Sequence, residues 1–170
     1  MMRRRILNSL PPGSNVLIAE RAEITQSIGP AAGGAPDRIE LLALSRNAHL
    51  HAPELLGQPV LLELLTAASL TQLRPFHGHV TRFELLGSDG GLARYRLHIE
   101  PWTAFLAQRT DAWVFQDMSV LDITEAVFAD YMQQGRLMPQ WRIDVADRAA
   151  FAKRSLCTQF NETDLAFLQR

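Results

Sequence analysis

The clearest regularity in the chain is a strict alternation: Ala93, Tyr95, Leu97 and Ile99 are apolar, and Arg94, Arg96, His98 and Glu100 between them are polar. Successive side chains of a strand point to opposite faces, so this pattern predicts a strand half buried against a core. The preceding run "HVTRFELL" has the same character and is joined to it by "GSDGG" at Gly87 to Gly91. Those glycines supply positive φ without a Cβ clash, and the two runs read as an antiparallel hairpin with a five-residue connection. The apolar phase shifts between Phe76, Val80 and Phe83, Leu85, which predicts a bulge at Thr81 or Arg82, because one extra residue turns the alternation over.

Weaker patterns fill in the remainder. "RIELLALS" from Arg38 puts Ile39, Leu41 and Ala43 on one face of a strand, and Val60 to Thr66 reads as a strand buried on both faces. Between them "PELLG" suits one helical turn closed by Gly57. "PWTAFLAQ" predicts a short helix with Pro101 at its first position and Trp102, Phe105 and Leu106 on one side. A longer helix starts at Ser119 as N-cap, with Asp122 at the charge-favoured third position. Its apolar side is Val120, Ile123, Val127, Phe128 and Tyr131, and it should stop near Gly135. "WRIDV", with Trp141, Ile143 and Val145 inward, and "SLCTQF" read as strands, and Asn161 with Asp164 as a cap ahead of "LAFLQ". Residues 1–37 carry little periodicity, and "GPAAGGAP" at Gly29 to Pro36 reads as a long loop. The apolar face opened by Leu165, Phe167 and Leu168 would ordinarily run further, so the chain is expected to be part of something longer.

Composition narrows the classes. With 17 basic and 18 acidic side chains the formal charge is −1, and 47% of residues are hydrophobic, as in a soluble globular protein with no bias toward nucleic acid. Arg3, Arg4 and Arg5 are followed by "ILNSLPPGSN", which lacks the apolar core of a signal peptide, so a cytoplasmic start is expected. The most apolar window, "VLLELLTAASL", contains Glu63 and falls short of the roughly 20 residues that span a bilayer. The single cysteine, Cys157, rules out an internal disulfide.

The histidines are the strongest chemical candidates: His49, His51, His77, His79 and His98. His77 and His79 would share a strand face, and with His98 from the paired strand could hold a metal as a small metal-dependent enzyme does. Against this, Gly78 intervenes, no carboxylate is placed to orient the rings, and His98 lies on the polar face of its strand. Wall positions are the simpler reading. Cys157 lacks an electropositive setting beyond Lys153 and Arg154 and reads as a small buried hydrophobe. Glu162 and Asp164 could be drawn as an acid and base, yet Asp164 suits a helix N-terminus. No G-x-S-x-G elbow is present, and "GSDGG" precedes a strand where a phosphate loop would precede a helix.

Four blocks in order, "LLGQPV" (Leu55 to Val60), "FHGHVTRFELLGSDGGLARYRLHIEPW" (Phe76 to Trp102), "FQDMSVLDITEAVFADY" (Phe115 to Tyr131) and "TQFNETDLAFLQR" (Thr158 to Arg170), resemble VgrG, the spike proteins of the bacterial type VI secretion system. The resemblance covers 38–170. It implies a mainly β fold with inserted helices (α+β), a phage baseplate hub-like β-barrel plus the start of a second barrel module. On that reading 1–37 is a poorly matched N-terminal segment, 38–110 the first barrel module, and 111–170 a helix-containing connection and the truncated second module.

The resemblance further implies a structural component, not an enzyme, with no catalytic, cofactor-binding or metal-binding residue. It implies a homotrimer in full-length form that docks on the Hcp tube for effector delivery. A PAAR protein would be reached only through a needle this chain lacks, and neither nucleic acid nor membrane insertion is involved. The protein would be cytoplasmic before firing and secreted by the system afterwards. A prophage tail baseplate hub is the related alternative. The family's opening Gly-Glu-x-Leu-Ser type segment is replaced here by "VLIAERAEITQSIGPAAGGAPD", so the first barrel is expected to lack or distort its opening strand and expose an edge.

Overall fold

The computed structural model describes residues 5–8, 17–27, 37–66, 69–133, 137 and 139–170. The chain divides into two compact units, Met1–Pro101 and Trp102–Arg170. The first contains β1 (Arg5–Asn8), β2 (Ile18–Thr25), β3 (Arg38–Ser45), α1 (Ala52–Leu55), β4 (Pro59–Thr66), β5 (Ser69–Asp89) and β6 (Leu92–Glu100). The strands form one antiparallel sheet in the order β1-β4-β5-β6-β3-β2.

The long strand β5 organises this sheet. Its first half pairs with β4 from Ser69 to His79, and its second half pairs with β6 from His79 to Asp89. Changing partners part-way along staggers the ladder, the device by which an antiparallel sheet coils. The register slips between Val80 and Arg82, so Thr81 is the inserted residue, as the phase change predicts. The slip also frees backbone groups of Val80: its carbonyl accepts from the Gly57 N–H at 2.8 Å and its N–H donates to the Gln58 carbonyl at 3.0 Å. The loop after α1 is thereby tied to β5, with Gly57 at φ +77° closing the turn.

One face of the sheet carries the core: Ile39, Leu41, Ala43, Val60, Leu62, Val80, Tyr95, Leu97 and Ile99 are all buried. Tyr95 stacks on Phe83 at 4.9 Å between ring centroids, and its hydroxyl donates to the Asn47 carbonyl at 2.9 Å. The alternation of β6 is therefore inward and outward as read from the sequence.

Several expectations need correction in this unit. Residues 18–25 form a full strand, not an unpatterned segment, although a bulge between Ala19 and Arg21 distorts it. That bulge and the small size of Ala19 and Ala22 hide the alternation. The β5–β6 turn has two residues, not five: Gly90 and Gly91 lie at φ +57° and +91°, while Gly87, Ser88 and Asp89 stay in the ladder. β4 buries Val60 and Leu62 but leaves Leu61 and Glu63 partly exposed, so one face is covered instead of two. The loop expected at Gly29 to Pro36 lies outside the described residues.

The second unit opens with a 3₁₀ turn at Trp102–Ala107, followed by β7 (Thr110–Met118), α2 (Val120–Tyr131), a 3₁₀ turn at Arg148–Ala150, β8 (Arg154–Thr163) and α3 (Asp164–Gln169). β7 and β8 pair as an antiparallel two-stranded sheet. α2 begins as expected: Ser119 accepts from the Asp122 N–H at 3.3 Å, and the Asp122 carboxylate accepts from the Ser119 N–H at 2.9 Å. Its buried residues are Ile123, Val127 and Tyr131, and Val120 is exposed, one turn too early to reach the core. The stop expected at Gly135 lies outside the described residues.

Trp102, Leu106, Phe115, Ile123, Val127, Tyr131 and Phe167 form the core of this unit. Two further expectations fail here. "WRIDV" is not a strand, because Trp141 is used as a plug, its ring 5.5 Å from Phe128 and 6.2 Å from Trp102, while the Trp102 indole N–H donates to the Gln140 carbonyl at 3.0 Å. The cap of α3 is Thr163, whose hydroxyl accepts from the Ala166 N–H at 3.1 Å; Asn161 instead sits within β8 at φ +49°. The sequence reading also missed β7, where the consecutive apolar residues Ala112, Trp113 and Val114 are all exposed and obscure the alternation.

Candidate functional site

The histidines singled out from sequence are only partly brought together. His77 and His79 follow one another on β5 with ring centroids 5.6 Å apart, edge to face, His77 exposed and His79 buried. His79 faces Pro59 and Glu100 across its two ladders, whereas His98 is opposite Arg82 and Glu40, with its Nε2 3.9 Å from a Glu40 oxygen. His49 is on the loop after β3 and His51 is the residue before α1, both exposed. Among the described residues no group of three His, Cys, Asp or Glu side chains is placed to hold a metal.

Burial, and then the neighbouring His77, hold the His79 imidazole below the ordinary histidine value of 6.5. A base whose folded value is depressed binds its proton more readily in the unfolded chain, so the sign is fixed: stability is full above the ordinary value and declines as pH falls below it. The urea midpoint of the first unit should drop between about pH 7 and pH 5, and His79→Gln should flatten that profile. An unchanged profile in the variant would assign the dependence to other groups.

The outward face of the first sheet is an ionic lattice. Arg96 reaches Glu40 at 3.1 Å and Glu84 at 3.5 Å, Arg94 reaches Glu20 at 2.7 Å, and Arg82 pairs with Glu84. Exposed pairs of this kind contribute about 0–1 kcal/mol each, so their effect lies in register and solubility more than in stability.

The second unit holds a buried polar cluster that the sequence reading did not find. Asp164, fully buried, accepts from the Arg109 Nε at 2.8 Å, the Tyr131 hydroxyl at 2.6 Å and the Gln159 amide at 2.7 Å. Arg109 also bonds Asp130 and lies over the Tyr131 ring, its guanidinium carbon 4.5 Å from the centroid. Burial works against the charged form of Arg109, but Asp130 and Asp164 outweigh it and hold the group above its ordinary range. Burial, and then the bond to Asp164, push the Tyr131 phenol up. The cluster joins the residue before β7, the end of α2, β8 and the start of α3. Asp164 and Glu162 are not paired as an acid and base: Glu162 bonds Arg170 at 2.9 Å, and Asp164 is consumed by its three donors.

One face of β7–β8 is uncharged, largely apolar and open. Val114, Leu156 and Phe160 are exposed by 63%, 57% and 80%. The register sets Ala112 opposite Phe160, Val114 opposite Thr158 and Gln116 opposite Leu156, so these six share one face and none is charged. Phe115 and Cys157 are opposite one another on the other face, against the core, which agrees with a packing role for the cysteine.

Each of the two units is built on an antiparallel sheet with short helices. Residues 34–170 match the family described as phage tail baseplate hub (GPD). The chain belongs to this family. Among curated relatives, the type VI secretion system spike protein VgrG1a of Pseudomonas aeruginosa is 29% identical over 160 residues, covering 94% of this chain and 23% of the relative. VgrG4b of the same organism is 33% identical over 137 residues, covering 79% of this chain and 16% of the relative. The chain thus spans less than a quarter of the length of either.

Among solved structures, an E. coli protein described as a component of the type VI secretion system, with structural similarity to the T4 bacteriophage tail proteins gp27 and gp5, superposes with a TM-score of 0.64. It shares 20% identity and covers 99% of this chain and 42% of its own, which fixes the fold as that of a baseplate hub. The hub family and these relatives are spike and tail proteins by description. This chain is accordingly a hub-type structural protein related to type VI spikes. No helix of the described residues is long and apolar enough to cross a membrane.

Proposed function

We propose that this chain is the hub portion of a type VI secretion spike, which assembles as a trimer, docks on the Hcp tube and is expelled with it to deliver effectors. The observation that carries the reading is the similarity to spike proteins over 94% of the chain. Residues 38–110 are assigned to the first barrel module and 111–170 to the connection and opening strands of the second. The division into two compact units supports reading the chain as successive modules. A PAAR partner would be engaged only through regions that lie outside this sequence, and the protein would reside in the cytoplasm until firing.

The test is release. In a strain with an active type VI system, the product should be found in the culture medium when Hcp is present and stay in the cells when the Hcp gene is deleted. Release that is indifferent to Hcp, together with co-purification of a tail-tube protein, would move the assignment to a prophage tail baseplate hub. The family description, phage tail baseplate hub, is what favours that second reading.

A further inference from the structure

Beyond assembly, the second unit carries a notch of about 130 Å³ between the first turn of α2, β8 and α3. Its lining is Val120, Ile123, Cys157, Phe167 and Leu168 with Thr124, and Arg154 and Arg170 stand at it as well. Two guanidinium groups line this space, and no Asp or Glu side chain does among the described residues. Arg170 is held in place by Glu162 at 2.9 Å and by the Thr158 carbonyl at 2.8 Å, and it covers the Phe167 ring at 5.2 Å. Arg154 makes no ion pair among the described residues. Apolar cavities of roughly 150 Å³ take up a benzene-sized group, so the space matches one branched or small aromatic side chain. A neighbouring anion would meet Arg154 without having to displace an existing partner.

We propose that this notch is an anchor site for a peptide in which a leucine-sized apolar side chain is followed directly by an acidic residue. The apolar group fills the space between Ile123, Phe167 and Leu168, and the carboxylate bonds Arg154. The proposal does not rest on trimerisation or on Hcp docking.

Cys157 makes it measurable, because it is the only cysteine of the chain and lines the notch. The rate of its alkylation by uncharged iodoacetamide is followed with added acetyl-Gly-Leu-Glu-amide, acetyl-Gly-Leu-Lys-amide or acetyl-Gly-Ser-Glu-amide. A single-side-chain anchor binds with a Kd on the order of 1 mM, and protection follows 1 + [L]/Kd, so the Leu-Glu peptide at about twice its Kd should slow alkylation about threefold. The Leu-Lys and Ser-Glu peptides should leave the rate unchanged. Arg154→Gln should remove the protection by Leu-Glu, whereas Arg142→Gln, at an exposed position outside the notch, should keep it. Equal protection by Leu-Lys, no protection by Leu-Glu, or full protection in an Arg154→Gln chain with an unchanged melting profile would each overturn the proposal.

Discussion

Replacing Asp164 by alanine should strongly destabilise the second unit while leaving the first intact. The substitution takes the acceptor from the Tyr131 hydroxyl and one of two partners each from the Arg109 guanidinium, which keeps Asp130, and the Gln159 amide, which keeps the Glu162 carbonyl. Removing one partner of a buried ion pair costs about 3–5 kcal/mol, against total stabilities of about 5–15 kcal/mol for a whole domain. Asp164→Asn keeps the volume and one acceptor and should cost less. The three tryptophans, Trp102, Trp113 and Trp141, all belong to the second unit, so their emission reports on it alone. A native emission spectrum and an unshifted urea midpoint in Asp164→Ala would show that the cluster contributes little.

The opposite pattern is expected for Gly78→Ala. A Cβ built at Gly78 would sit 2.8 Å from the Glu100 carbonyl oxygen and 2.8 Å from a methyl of Ile99. One contact is to backbone and the other to a fully buried side chain, so neither can step aside cheaply. β5 must lift away from β6 where the two strands are pinned at His79 and Val80. Overpacking of this kind typically costs about 1–3 kcal/mol. The loss should be read by far-ultraviolet circular dichroism in urea, with the tryptophan transition unmoved. A parallel shift of both signals would mean that the two units unfold together.

These residues also mark how far the sequence could be read. The wall of the first sheet was legible because β6 obeys a simple period, and the phase slip at Thr81 was visible as a change in that period. The capping box of α2 was legible because Ser119 and Asp122 are three apart and interact locally. β7 was not, since Val114 on its open face is as apolar as Phe115 on its buried one. The Asp164 cluster was invisible for another reason: its members at 109, 131, 159 and 164 come from separate elements, and no local spacing joins them. A tyrosine ending the apolar side of α2 and an aspartate opening a short helix were the available signals, and each had a sufficient local explanation. The histidines drew notice for their spacing, yet the register sets His98 two positions beyond the partner of His79.

The hand-over of β5 from β4 to β6 has a mechanical meaning. Only at His79 is the strand flanked by both neighbours, so its two halves form something like a splice between two hairpins. Tension applied along β5 passes out of one ladder and into the other by sliding, and a whole row of hydrogen bonds shares it at once. Force applied across the strand would open the rows one bond at a time. The toughness of the first unit should therefore depend on the direction in which it is pulled.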